Sequence, residues 1–142
     1  MIELPDVNVL LALNLPRRDS HSAAASWLAE TTGFATTPVT EMGLIRNLLN
    51  PLVTKNEPIS AARAIAVLEA VKRQPHYSFW PDVFPFELGR FTYALKGHRQ
   101  VTDLHLLDIA ARKSGRLVAF DQKIIAALRP GDRKYVHLLE VE

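Results

Sequence analysis

VTDLHLLDIAARKSGRLVAFD, residues 101–121, is the stretch from which the fold can be read. A helix starts at Thr102 and ends at Gly115, and a short apolar strand follows and stops at Asp121. Leu106, Leu107, Ala110 and Ala111 stand at i+3, i+4, i+7 and i+8 from Asp103, the spacing of a buried helical face. Asp103 therefore heads the stripe that faces the core, where a bare carboxylate is costly. The spacing predicts that some other group meets it there.

The rest of the chain repeats this alternation. Ile2-Glu3-Leu4 reads as a strand closed by Pro5, and Asp6 opens a helix with Val9, Leu10 and Leu13 on one face. Pro16 to Ser20 breaks that helix, and a second, alanine-rich one runs from about His21 to Thr31 with Trp27 and Leu28 as its larger apolar residues. Phe34-Ala35-Thr36 is the next strand. Thr37 is a good N-cap and Pro38 a good first residue for a helix reaching about Asn50. After a loop over Leu52 to Glu57, a helix runs from Pro58-Ile59-Ser60 to Arg73, with Ala61, Ile65, Leu68 and Val71 available for burial. Tyr77 to Trp80 is strand-like, a short helix is expected around Phe86 to Leu95, and Gln122 to Leu128 precedes a last strand at Tyr135 to Leu139. Short strands alternating with helices predict an α/β fold with a parallel sheet covered on both faces and right-handed crossovers. No stretch is rich enough in Gly, Ser or Pro to divide the chain, so residues 1–142 form one domain.

Composition narrows the function classes. The chain has no cysteine, which rules out a disulfide framework and thiolate chemistry and suits a reducing cytoplasm. No apolar run has the length of a membrane span, and the first residues lack the pattern of a signal peptide. A cytoplasmic protein is expected. Net charge is +2, and arginine outnumbers lysine 11 to 6, a balance compatible with phosphate contacts.

In a doubly wound sheet, sites form outside the carboxyl ends of the strands. Polar residues at strand-to-helix junctions are therefore the ones to test. Asp6 has Val9, Leu10 and Leu13 at i+3, i+4 and i+7; Glu41 has Leu44, Ile45 and Leu48 at the same offsets; Asp121 has Ile124, Ile125 and Leu128. With Asp103, four carboxylates head four inward-facing stripes. Asp108 lies roughly 140° around the helix from Asp103 and is set aside. Asp19, Asp82 and Asp132 fall in turns. Each junction aspartate alone reads most simply as a helix cap. Glu41 does not, because Thr37 is the better cap. If the four converge on one sheet edge they repel one another, and a divalent cation resolves the repulsion. Oxygen ligands without cysteine or paired histidines favour Mg²⁺ or Mn²⁺. Hard metals on carboxylates suit phosphoryl chemistry, with nucleic acid as the natural polyanionic substrate. Arg17, Arg18, Arg46, Arg90, Lys96, Arg99, Arg112, Lys113, Arg116 and Lys123 are candidates for holding it, Arg46 being the one that follows Glu41 in its own helix.

The segments from Asp6 to Leu13, from Thr40 to Arg46, from Thr102 to Leu107 and from Ala119 to Asp121 resemble the motifs of PIN-domain ribonucleases, and among them the VapC toxins of bacterial toxin–antitoxin systems. The resemblance covers nearly the whole chain, in order and at the expected spacing. It implies a three-layer α/β/α PIN-like sandwich with a short parallel sheet of order 3-2-1-4-5. It implies a Mg²⁺- or Mn²⁺-dependent endoribonuclease cleaving tRNA or ribosomal RNA, a cognate VapB-type antitoxin, and a homodimer. By motif position Asp6, Glu41, Asp103 and Asp121 would form the catalytic, metal-binding acidic cluster, the fourth being the more variable in the family. Asn8 and Thr102 would orient the acids.

Three other readings compete. A nuclease acting on structured DNA keeps the metal chemistry but normally carries added DNA-binding parts. A receiver domain has a similar fold and an acidic pocket, but Glu41 inside its helix and Asp103 at the head of a long one fit it poorly. A PIN fold acting only as a binding module is disfavoured by the presence of all four acids.

Overall fold

A computed structural model describes residues 1–81 and 84–141, so Asp82 lies outside the described residues. Five strands form one sheet: β1 (Glu3–Pro5), β2 (Phe34–Thr36), β3 (Tyr77–Phe79), β4 (Arg116–Ala119) and β5 (Val136–Leu138). The order is β3-β2-β1-β4-β5, with all pairs parallel. The expected strand order is the one observed. β1 pairs with β4 through three register positions, Glu3, Leu4 and Pro5 opposite Arg116, Leu117 and Val118, and with β2 through one, Glu3 opposite Phe34. Six α-helices accompany the sheet: α1 (Val7–Asn14), α2 (His21–Glu30), α3 (Pro38–Leu48), α4 (Ala61–Lys72), α5 (Val101–Arg112) and α6 (Gln122–Ala127).

Successive strand residues point to opposite faces, and here the two faces enter different cores. Leu4, Ala35 and Leu117 pack with Leu106, Leu107 and Ala110 of α5 and with Ile124 at α6. Phe34 and Val118 pack instead with Val9 and Leu10 of α1, Trp27 of α2, Leu44 of α3 and Ala64 of α4. The sheet is thus covered on both sides, as a parallel sheet must be. Among the described residues no helix is long and apolar enough to cross a membrane.

Some local expectations are corrected. In α4, Ala64 and Val71 are buried, while Ala61 and Ile65 are exposed. The helix touches its neighbours along a narrow line through Ala64, which turns Ile65 outward. No α-helix forms from Phe86; a 3-10 helix covers Gly89–Ala94. Leu88 and Gly89 both have positive φ, 58° and 47°, which no continuous α-helix accommodates. Helix α5 ends at Arg112 rather than Gly115, and Ser114 takes the left-handed conformation that glycine usually supplies at a helix end.

Gly115 has a different task. A Cβ there would stand 2.2 Å from the Ile2 carbonyl oxygen, because the α5–β4 turn crosses the backbone entering β1. Gly115→Ala is expected to lower stability by about 1–3 kcal/mol, as overpacking against rigid backbone does. Gly97→Ala, whose added Cβ meets nothing within 4 Å, is the control in the same denaturant titration. Equal losses for the two variants would rule out the close approach as the cause.

Candidate functional site

The chain winds from β1 to β2 and β3 on one side and returns to β4 and β5 on the other. The carboxyl ends of β1 and β4 therefore flank the point where the winding reverses, the usual place for a site in such a sheet. Asp6 follows β1 immediately. It is the N-cap of α1, its Oδ1 accepting from the Val9 N–H at 3.0 Å, and it is 5% exposed. The cap and the buried carboxylate are thus the same residue. With Oδ1 committed to α1, Oδ2 is the oxygen left for another partner.

Asp121 holds the matching position after β4, capping α6 by accepting from the Lys123 N–H at 2.9 Å, but it is exposed. Asp103 is not a cap. It lies in the first turn of α5, partly buried, with Leu106, Leu107 and Ala110 buried below it. These three aspartates lie within electrostatic reach of one another. Burial, and after it the charges of Asp103 and Asp121, push the Asp6 carboxyl up to about 7, against the Val9 and Asn8 backbone N–H groups that pull it down. Burial and the Asp121 charge push Asp103 up as well.

Glu41 is placed differently. Thr37 caps α3, exchanging hydrogen bonds with Thr40, so Glu41 stands one turn inside the helix as its sequence position indicates. Its Oε2 accepts from Thr36 Oγ1 at 2.6 Å and from the Tyr77 hydroxyl at 3.4 Å. Its Oε1 is 3.1 Å from the Lys72 Nζ. Burial raises the Tyr77 hydroxyl above its ordinary value, so it remains a neutral donor. All these partners come from β2, β3 and α4, away from β4. The structure brings Asp6, Asp103 and Asp121 together and holds Glu41 in a polar pocket beside them. Among the described residues, no three His, Cys, Asp or Glu side chains are drawn close enough to hold a metal ion.

Of the supporting residues, Asn8 is exposed and meets Asp6 through its backbone N–H. Thr102 and Arg46 are exposed, Arg46 in the last turn of α3. Several basic candidates are engaged elsewhere: Arg17 with Glu57, Arg90 with Tyr135, Arg112 with Asp108 and Arg116 with Glu3. Lys72, Thr36 and Tyr77 were absent from the sequence reading of the site. Asp108 is buried, both its oxygens accepting from Arg112 Nε at 3.1 Å, with Phe84 under the guanidinium.

A further buried acid, Glu3, stands at the opposite end of β1. Trp27 Nε1, Thr31 Oγ1 and Arg116 Nη2 donate to it at 2.9–3.0 Å, and His137 Nδ1 is 2.6 Å away. Burial alone would raise its pKa; the bonds from His137, Trp27 and Thr31 outweigh that and hold it below the ordinary carboxylate value. Glu3 is fully partnered, which marks it as a structural tie.

No family model matches the chain. Its sequence is 41% identical over 135 residues to ribonuclease VapC39 of Mycobacterium tuberculosis, a match spanning 92% of this chain and 96% of that protein. The chain belongs to the VapC family. Ribonuclease VapC29 of the same organism is also 41% identical, over 85% of this chain and 86% of its own length. Ribonuclease VapC38 is 34% identical over 97% and 98%. The VapC-family fold is also seen in the crystal structure of VapBC2 from Rickettsia felis bound to a DNA fragment from their promoter. The similarity has a TM-score of 0.61 and covers 98% of this chain and 99% of that one; at 13% identity it speaks for the fold alone.

Proposed function

We propose that this VapC-family chain is an endoribonuclease, the toxin of a VapBC-type toxin–antitoxin system, acting on tRNA or ribosomal RNA in the cytoplasm. Full-length similarity to three VapC proteins named as ribonucleases carries the reading. A VapB-type antitoxin is its proposed partner, and the active form is a homodimer.

The site takes Mg²⁺ or Mn²⁺ in this reading. The donor set suits a hard cation, since it is made of carboxylate oxygens alone. The upward displacement of Asp6 and Asp103 is what a cation would relieve. Asp6, Asp103 and Asp121 would hold it, with Glu41 next to them. The chemistry such an ion supplies is activation of water and stabilisation of charge on the leaving oxygen. The chain's own contribution is placement: α1 and α6 fix Asp6 and Asp121 by their caps, and the apolar stripe of α5 fixes Asp103. Asp6 is the proton-sensitive member, since near pH 7 its carboxyl is divided between the neutral and charged forms.

Purified chain incubated with total tRNA and ribosomal RNA in Mg²⁺ is expected to give discrete cleavage products. Excess EDTA is expected to lower the rate by on the order of 10²-fold or more, and Mn²⁺ to restore it. Undiminished cleavage in EDTA would remove the metal from the reading, and absence of cleavage under every metal condition would remove the ribonuclease.

A further inference from the structure

Lys72 lies at the last position of α4, and its ammonium reaches across to Glu41 Oε1 at 3.1 Å. It also stands 5.6 Å from the centroid of the Phe79 ring, so it is bracketed by an anion and an aromatic face. Glu41 Oε2 is held independently by Thr36 Oγ1, a fully buried hydroxyl, and by Tyr77, which itself bonds Thr36 at 2.7 Å. Both oxygens of Glu41 are therefore occupied by groups on the β2–β3–α4 side. Asp103 and Asp121 both act on Asp6, whereas Glu41 is not among the charges that displace it.

We propose that Lys72 is a positioning residue that competes with a divalent cation for Glu41. This deepens the proposed function, resting on the reading that the aspartates bind such an ion. Thr36 and Tyr77 bond only one of the two oxygens, so they allow Glu41 to stay anchored while Oε1 changes partner. Lys72 is the partner that must give way. A lysine that gives up Glu41 keeps a mobile positive charge next to the site, where it meets an incoming phosphate. The ion pair is partly exposed, with side-chain exposures of 39% and 15%, so exchange does not require unfolding of either helix.

The test is Mn²⁺ binding to the intact protein without RNA, followed by the electron paramagnetic resonance of free Mn²⁺. Lys72→Met is expected to tighten binding about two- to fivefold, the range spanned by partly exposed ion pairs. Lys72→Arg is expected to bind as the wild type does. Loss of a nearby positive charge would tighten binding even without competition, so the same substitution is made in a Glu41→Gln background. There Lys72→Met should change Mn²⁺ affinity little, because the contested carboxylate is gone. An equal gain in both backgrounds, or none in either, overturns the role of Lys72. Asp6→Asn serves as the reference: if wild-type binding does not depend on Asp6, the metal reading itself falls and this inference with it. If binding depends on Asp6 but not on the Lys72–Glu41 coupling, only the inference falls.

Discussion

Asp6→Asn is expected to leave RNA uncut while the protein stays folded. Asparagine keeps the shape and the capping oxygen, so the bond to the Val9 N–H survives and α1 starts where it did. What disappears is the charge at the one carboxylate that both other aspartates act upon. Loss of one preorganised group in a phosphoryl-transfer site costs on the order of 10²–10³ in rate. Asp103→Asn should behave alike. Asp108→Asn tests where the site ends. Asp108 is buried but bonded to Arg112, so its substitution should reduce stability and spare cleavage. Discontinuous cleavage assays on the three variants, with melting curves on the same samples, separate the outcomes. Full activity in Asp6→Asn and Asp103→Asn would end the proposed mechanism, and complete inactivity of a folded Asp108→Asn would redraw the site.

The second large effect is on stability, and it has the opposite sign. Asp6 titrates at about 7 in the folded protein against 3.8 for an unperturbed aspartate. The folded state therefore binds the proton more tightly than the unfolded one. This contribution to stability is complete below about pH 4 and is lost as pH rises through about 7. At about 1.4 kcal/mol per unit of displacement, the loss is on the order of 4 kcal/mol. Asp103 is displaced in the same direction and adds to the slope. Urea midpoints measured in chelator at pH 5, 6, 7 and 8 should fall across that window in the wild type. Asp6→Asn, with no proton to lose at this position, should show a shallower decline and exceed the wild type at pH 8. Parallel profiles for the two proteins would show that Asp6 is not the group responsible. Together the two results would describe a site whose charge is needed for chemistry and costs the fold stability.

The periodic parts of this architecture were legible from residue order. The Leu106, Leu107 and Ala110 stripe under Asp103, the Thr37–Pro38 helix start and the aspartate caps at Asp6 and Asp121 are local patterns, and local geometry fulfils them. The pocket around Glu41 was not legible, because Lys72 and Tyr77 reach it from elements more than 30 residues away and no spacing rule links them. Burial of Asp108 was missed for a related reason. The irregular segment that brings Phe84 and Glu87 to Arg112 has no period to read. Glu3 did leave a signal: an acid flanked by Ile2 and Leu4 in a three-residue strand has no solvent face to occupy, and the polar groups that meet it could have been sought.

Pro5 closes β1 in the middle of the sheet, and a proline has no N–H to give a neighbouring strand. With one register position shared with β2 and three with β4, β1 belongs mechanically to the β4–β5 side. The domain is therefore two half-sheets joined along a thin seam. One half carries the three aspartates and the other carries Glu41 with its lysine, threonine and tyrosine. A small shear along that seam changes the separation between Glu41 and Asp6 without breaking the hydrogen bonds inside either half.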